Sequence, residues 1–379
     1  MAAEGIRSLG FDDLAVAEEE WADLEPFFFD EAVAVAEHAA AEERRRQKEA
    51  KEARKKAEYD RRLQAHQDAL ERITDYCPKD RRTYFTRFYL ADLSKFDLDE
   101  ESPFGPMRYT NTYTETSTNQ HGLFFQHGDG NWFAPVTSAN ILSVKIVSSD
   151  VGFPIKVYGT VIARDSLDYK CVSLFNRDEH HCQLIDSEDN ELILTGPRRG
   201  LVLVDAIYVE IDLKIKGDYG QQDRELSKGY IMIDGIRRKS CEKTVVETDS
   251  LDSKLSTVNV VFAVVKCSTE ATIAIDIVRG EFDGKITAHT TSIQNSLVLY
   301  DSRVAGTVTG DGTKSIQLLR FAVVVYVHEV LIVSAVVGTD GDETQHTIEF
   351  NPALNGGDEA EITCASFKMV VKVAGRSEF

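Results

Sequence analysis

Two adjacent arginines on a short stiff loop, Thr195-Gly196-Pro197-Arg198-Arg199-Gly200, are the side chains in this sequence best suited to hold a charged group. A guanidinium presents a planar fork of N–H donors that matches a carboxylate or a phosphate, and the neighbouring proline limits how far the loop can flex. Arg198 and Arg199 are therefore the candidate interaction loop. In a chain with 63 acidic residues and a formal charge of -20, an intramolecular ion pair is the commoner use of such arginines. The acids that could gather at loop ends are Asp165 with Asp168 and Asp178 with Asp186. Calcium takes six to eight oxygen ligands, and no single loop here is that dense in carboxylates.

The remaining motifs fail on spacing. His180-His181-Cys182, with Cys171 upstream, is the nearest approach to a zinc site, but successive strand residues point to opposite faces, so a turn followed by a core cysteine is expected. His328-Glu329 opens like a zinc-protease helix, yet the position of the second histidine is Ile332. Residues 306–315 (GTVTGDGTKS) miss the glycine spacing of a phosphate loop and are expected to be a hairpin turn. No G-x-S-x-G elbow and no G-x-G-x-x-G turn is present. No catalytic, cofactor-binding or metal-ligating residue is expected, and no cofactor; a non-enzyme is favoured over an enzyme.

These side chains need a frame, and from Thr137 to Val373 the frame is period-two alternation. Ile207, Val209, Ile211, Leu213 and Ile215 alternate with Tyr208, Glu210, Asp212, Lys214 and Lys216, which places the apolar set on one sheet face and the charges on the wet one. Similar runs occur at Val258/Val260/Phe262/Val264, Ile273/Ile275/Ile277 and Phe367/Met369/Val371/Val373. Asp234-Gly235, Asp283-Gly284, Asp311-Gly312 and Gly356-Gly357 are turn chemistries. About seven strands before Thr244 and about seven or eight after Leu255 each suit one sandwich. The predicted fold is mainly β, two packed antiparallel β-sandwiches with lobes at 137–247 and 253–376 and the polar interval 245–256 as their boundary; one continuous larger sandwich is the alternative.

Ahead of the β region the composition changes twice. Residues 1–30 are acidic with Trp21, Phe27, Phe28 and Phe29 and lack periodicity, so a disordered tail is expected. Residues 31–76 hold neither Gly nor Pro and set Glu four ahead of a base at Glu42/Arg46, Glu52/Lys56 and Glu58/Arg62. This is a charged helical arm, without apolar heptad positions in its middle and therefore without a coiled-coil seam. Pro78 is expected to stop it. Residues 77–136 form an irregular connector whose aromatics, Phe85, Phe88, Tyr89, Phe96, Tyr109, Tyr113 and Trp132, are expected to strap it to the β body.

Charge and cysteines limit the partners. A net acidic surface opposes nucleic acid and anionic lipid. Six singly scattered cysteines read as reduced thiols, no N-x-[ST] sequon occurs, and the first thirty residues lack the basic start and apolar core of a signal peptide. A cytoplasmic or nuclear, unsecreted protein is expected. The most apolar run, 321–337, is short of the ~20 residues of a spanning helix and rich in β-branched residues, so a buried hairpin is expected there.

Phe96-Asp97-Leu98-Asp99-Glu100-Glu101-Ser102-Pro103-Phe104-Gly105-Pro106-Met107-Arg108-Tyr109-Thr110, Lys170-Cys171-Val172, Leu194-Thr195-Gly196-Pro197-Arg198-Arg199, Tyr208-Val209-Glu210-Ile211-Asp212-Leu213-Lys214 and Leu297-Val298-Leu299-Tyr300-Asp301-Ser302 resemble the signature blocks of a plant family, expanded in grasses, known as a domain of unknown function. The resemblance runs from about Tyr76 to the C-terminus. Some relatives are joined to ribosome-inactivating N-glycosidase domains, which implies a stress or defence setting. The folded region here lacks the E-x-x-R helix and partnering tryptophan of that activity, so the resemblance does not imply it for this chain. The first sandwich also resembles, distantly, a C2-type sandwich, whose calcium-dependent lipid docking would need an aspartate cluster. The expected function is a non-catalytic protein-interaction module with an unknown protein partner; a homo-oligomer is allowed but not indicated. The alternatives are an enzyme with a loop-built site and a C2-like calcium or phospholipid binder.

Overall fold

Asp30 starts the first element, its carboxylate accepting the backbone N–H groups of Ala32 at 2.9 Å and Val33 at 3.3 Å, a side-chain cap on otherwise unpaired donors. The computed structural model describes residues 30–77, 81–94, 96–105, 125–126, 132–133, 136–217, 221–238, 244–310, 314–338, 343–351 and 357–375. The expected acidic tail and the aromatics Tyr109 and Tyr113 lie outside them, as does the side chain of Trp132. In chain order the elements are α1 (Glu31–Ile73), β1 (Thr74–Cys77), β2 (Arg82–Phe85), β3 (Phe125–Gln126), β4 (Trp132–Phe133), β5 (Val136–Ser149), β6 (Ile155–Arg164), β7 (Val172–Arg177), β8 (Gln183–Ile185), β9 (Leu201–Val202), β10 (Ala206–Ile215) and β11 (Arg224–Asp234). They continue with β12 (Val245–Asp252), β13 (Ser256–Phe282), β14 (Gly284–Thr290), β15 (Leu297–Asp301), α2 (Ser302–Ala305), β16 (Val308–Gly310), β17 (Lys314–Ser315), β18 (Ala322–Tyr326), β19 (Leu331–Val337), β20 (Thr344–Phe350), β21 (Gly357–Thr363) and β22 (Phe367–Ala374).

The chain divides into two units, Met1–Ala65 and His66–Phe379. In the first, the exposed helix is laced by pairs such as Glu42 with Arg46 at 3.2 Å, the contact expected from their spacing. In the second, α1 ends at Ile73, earlier than Pro78 would require. Thr74 bonds the Leu70 carbonyl at 2.6 Å, and the Thr86 amide and hydroxyl take the Ile73 carbonyl at 2.7 and 3.0 Å. The connector thus supplies donors to the helix's last carbonyls, and β1 turns into a hairpin with β2. Ile73, Leu93 and Leu98 form a small core of their own beneath it.

The β region is two sandwiches built on one shared sheet. A five-stranded sheet, β11-β10-β6-β7 with β8 on β6, and the nine-stranded sheet enclose the first core; the four-stranded sheet β15-β14-β19-β20 and the rest of the nine-stranded sheet enclose the second. Ile207, Val209, Ile211, Leu213 and Ile215 all point into the first core, as the alternation predicts. The 27-residue strand β13 belongs to both lobes: Val258, Val260, Phe262 and Val264 line the first core, and Ala271, Ile273, Ile275 and Ile277 the second. Between them β13 and β5 slip register at a bulge from Val265 to Ser268, where Cys267 adopts φ 46°.

Three expectations differ from the structure. The interval 245–256, expected as the boundary between the lobes, is instead a strand of the sheet: β12 pairs with β13 from Val245 to Asp252. An outer strand accepts polar residues on both faces, which is why it lacks a sequence alternation, and the lobes meet within β13. The run 321–337 is no hairpin either, because β18 pairs with β13 while β19 pairs with β14 and β20, so the turn between them crosses from sheet to sheet. Likewise β16 and β17, in the 306–315 stretch, each pair with β13.

Polar side chains tie the lobes. Asn140 on β5 mimics a strand toward β18, donating to the Val324 carbonyl at 2.7 Å and accepting its amide at 2.9 Å. The buried Arg320 donates to the Ile141 carbonyl at 2.9 Å and the Leu142 carbonyl at 3.5 Å. These carbonyls lie at the bulge where the β5–β13 register skips Leu142, and burial lowers the Arg320 pKa to about 10. Arg320→Ala is expected to cost about 2 kcal/mol, since both carbonyls lose their donor and a void remains. Urea unfolding of the variant checks this; a midpoint equal to wild type would contradict it.

Candidate functional site

The densest chemistry lies on the outer face of the five-stranded sheet, where the sequence predicts water. Arg164 stands opposite Tyr208 in the β6–β10 register, one diagonal step from Glu210 on the same face, a distance that long side chains span. Both are buried beneath the connector, Arg164 at 0% exposure and Glu210 at 5%. Glu210 accepts four hydrogen bonds: from Arg164 Nε at 2.6 Å and the Phe88 amide at 2.9 Å on Oε1, and from Arg87 Nε at 2.8 Å and Arg164 Nη2 at 3.1 Å on Oε2. Arg164 also donates to the carbonyls of Tyr169 at 2.9 Å and Leu98 at 2.5 Å, under the rings of Phe88 and Phe96, each 5.9 Å away. Arg87 reaches Asp99 at 2.7 Å. Burial disfavours the Glu210 carboxylate, but the bonds from Arg164 and the nearby charge of Arg87 outweigh it and hold its pKa low. The Arg87 bond likewise lowers Asp99.

A second buried knot adjoins it. Arg199, 1% exposed, grips Asp165 with two bonds, Nη1–Oδ2 at 2.5 Å and Nη2–Oδ1 at 3.0 Å, and donates to Ser102 Oγ at 3.1 Å. Asp165 also accepts the Val202 amide at 2.8 Å, and Asp168 lies 4.0 Å from Arg199. The loop reaches this position because Gly196 runs against β7, where a Cβ would stand 1.9 Å from the Ser173 carbonyl oxygen. The two candidate arginines therefore part: Arg199 is internal, and Arg198 is exposed. Asp165 and Asp168 do converge, but the positive charge they gather around is a guanidinium.

The lone pairs of Glu210 are filled and Asp165 is held by Arg199 and the Val202 amide, so neither of these two carboxylates is free to act as a base. Sequence reasoning missed Glu210 and Arg164 because a charge on an alternating strand defaults to the wet face; the aromatic density of the connector, which has to cover something, was the available signal. Phe88 is buried as expected, whereas Phe85 and Tyr89 stack on each other at 4.6 Å and stay exposed. His180 and His181 sit in an exposed turn, with Asp178 accepting His181 Nδ1 at 2.9 Å, and Cys182 is half-buried rather than core. Among the described residues no three His, Cys, Asp or Glu side chains are grouped to hold a metal ion, and no helix is long and apolar enough to cross a membrane.

What remains open is the far end of the same face. Met232 is opposite Tyr208, whose ring lies 5.9 Å from that of Tyr230, and the Gly235 amide bonds the Asp205 carbonyl at 2.8 Å, joining the loops that carry Val204 and Ile236. Val204, Met232 and Ile236 are 52%, 47% and 59% exposed. Burial raises the Tyr208 pKa, as do the neighbouring tyrosines and the charges of Asp205 and Asp234, the latter paired with the exposed Arg237 at 3.2 Å.

Residues 138–373, nearly the whole β body, match the family model described as domain of unknown function DUF6598. The chain belongs to the DUF6598 family. Among solved structures, the DUF6598 chain is similar to the C2A and C2B domains of Extended-Synaptotagmin 2, calcium bound, at 9% identity over 63% of this chain and 95% of that one, with a TM-score of 0.20. A second structure of those C2A and C2B domains gives 9% identity, 68% and 97% coverage and a TM-score of 0.23. A human GIVD cytosolic phospholipase A2, in complex with an inhibitor and terbium chloride, gives 10%, 64% and 32%, and 0.22. No curated protein matches the chain.

Proposed function

We propose that this DUF6598 chain is a non-catalytic protein-interaction module of the cytoplasm or nucleus, acting in plant stress or defence, whose first sandwich receives a basic, apolar-containing segment of a partner protein. The observation that carries this reading is the exposure of Val204, Met232 and Ile236 beside Tyr208 and Tyr230, on loops joined by the Gly235–Asp205 backbone bond. Exposed apolar side chains grouped beside tyrosines suit a binding site, and cation–π contact with those rings favours a cationic occupant. The chain's formal charge of -20 steers the same class of partner. Arg198, exposed on its own loop, is the remaining candidate contact from the 195–200 segment. An occupied Asp165–Arg199 pair weighs against the calcium-binding alternative, and saturated carboxylates against the enzyme.

Peptide arrays probed with the purified chain, followed by calorimetric titration, test the proposal. Peptides combining Lys or Arg with aromatic or branched residues should bind, and Met232→Lys should weaken them at least about tenfold without changing the melt, because an exposed side chain is exchanged for one that repels the ligand. Preference for acidic peptides, or affinity indifferent to Met232→Lys, would contradict it.

A further inference from the structure

We propose that Ser102 is a phosphorylation site that unlatches residues 100–102 of the connector from the start of β7. Ser102 is the only Ser or Thr in the chain followed by proline. It is half-buried, while Glu101, Pro103, Phe104 and Gly105 around it are exposed, which leaves the flanking chain open to a kinase cleft. Its backbone holds the strap to the start of β7: the Ser102 amide donates to the Cys171 carbonyl at 2.8 Å, and the Cys171 amide to the Glu100 carbonyl at 2.9 Å. Its hydroxyl is the latch, donating to Asp168 Oδ2 at 2.9 Å and accepting from Arg199 at 3.1 Å.

The step is phosphoryl transfer from MgATP by a proline-directed Ser/Thr kinase. The Ser102 Oγ–P bond forms as the γ-phosphorus bond to the ADP oxygen breaks, ADP leaves, and the hydroxyl proton passes to the kinase base and on to solvent. The product carries nearly two negative charges and has lost the donor that Asp168 accepted. Asp97, Asp99, Glu100 and Glu101 precede it, Asp168 contacts its hydroxyl, and Asp165 shares Arg199 with it. The nearby cations are engaged: Arg199 with Asp165, and Lys170 with Glu100 at 2.6 Å. Repulsion therefore exceeds attraction, and the phosphate is accommodated only when residues 100–102 leave β7, so modification shifts the population to the open end. This inference does not depend on the apolar patch.

The full-length chain is incubated with such a kinase and MgATP, mapped by mass spectrometry and followed by amide hydrogen exchange, with Ser102→Ala and Ser102→Glu alongside and a peptide of residues 96–110 as a substrate control. The expected result is phosphate on Ser102 of the folded chain, none on Ser102→Ala, and exchange at the Ser102 and Cys171 amides accelerated at least about tenfold in the phosphorylated chain and in Ser102→Glu, while the sandwich cores keep their protection. Modification of the peptide but not the folded chain, modification of neither, or a phosphorylated chain with unchanged exchange would each overturn the proposal.

Discussion

Glu210→Ala is expected to cost about 3–5 kcal/mol, because it strands two guanidinium groups whose charge the carboxylate now balances. Arg164 is wholly buried and Arg87 mostly so, and the Phe88 amide loses its acceptor at the same time. Urea unfolding at neutral pH should show a lowered midpoint, with Glu210→Gln intermediate because one carbonyl oxygen remains to accept. The pH dependence has a defined sign. Glu210 is held below its ordinary value in the folded chain: burial alone would raise it, but the bonds from Arg164 and the charge of Arg87 more than offset that. A depressed folded value means that the ion pair stabilises fully above the unfolded carboxyl value of about 4.3 and fades as pH falls through the folded one. Wild type should therefore lose this increment on acidification below that point, and Glu210→Ala should lack it.

Arg199→Ala is expected to destabilise by about 3–4 kcal/mol, whereas Arg198→Ala stays within about 0.5 kcal/mol of wild type. Removing Arg199 leaves Asp165, at 0% exposure, as a buried anion with the Val202 amide as a bonded donor, and releases Ser102. Arg198 has no comparable burial. Lys in place of Arg199 should recover part of the loss, since a point charge restores the ion pair but not the planar two-bond grip. Thermal melts of the three variants check this. Equal melts for Arg198→Ala and Arg199→Ala would mean that the 195–200 loop is held by something other than the Asp165 pair.

Much of the fold was legible because burial imposes a period. The β10 alternation gave its inner face correctly, and the Glu-to-base spacing gave α1, because each pattern is set by local geometry. What escaped was long-range. A polar outer strand such as β12 has no alternation to read, and the 27 residues of β13 pass through two cores without a break in composition. A strand run such as 321–337 shows that both of its segments are buried but not which sheets they join. At the site, the Arg198-Arg199 pair was visible as a dipeptide, yet its partner lies 34 residues away in Asp165 and its cover comes from Ser102. Glu210 looked like a solvent charge because the strap that covers it is contributed by residues more than 100 positions upstream.

The connector over Arg164 and Glu210 is part of the first sandwich rather than a lid above a site. Native-state hydrogen exchange of Thr86, Phe88 and Leu93 measures this directly, since their amides bond the Ile73 carbonyl, Glu210 and His66 Nδ1 at 2.7, 2.9 and 3.0 Å. They are expected to exchange with the same free energy of opening as Val209 and Ile211 in β10, as one cooperative unit. Exchange of the three amides faster than β10 by a factor of about a hundred or more would show a strap that opens by itself, and would contradict it.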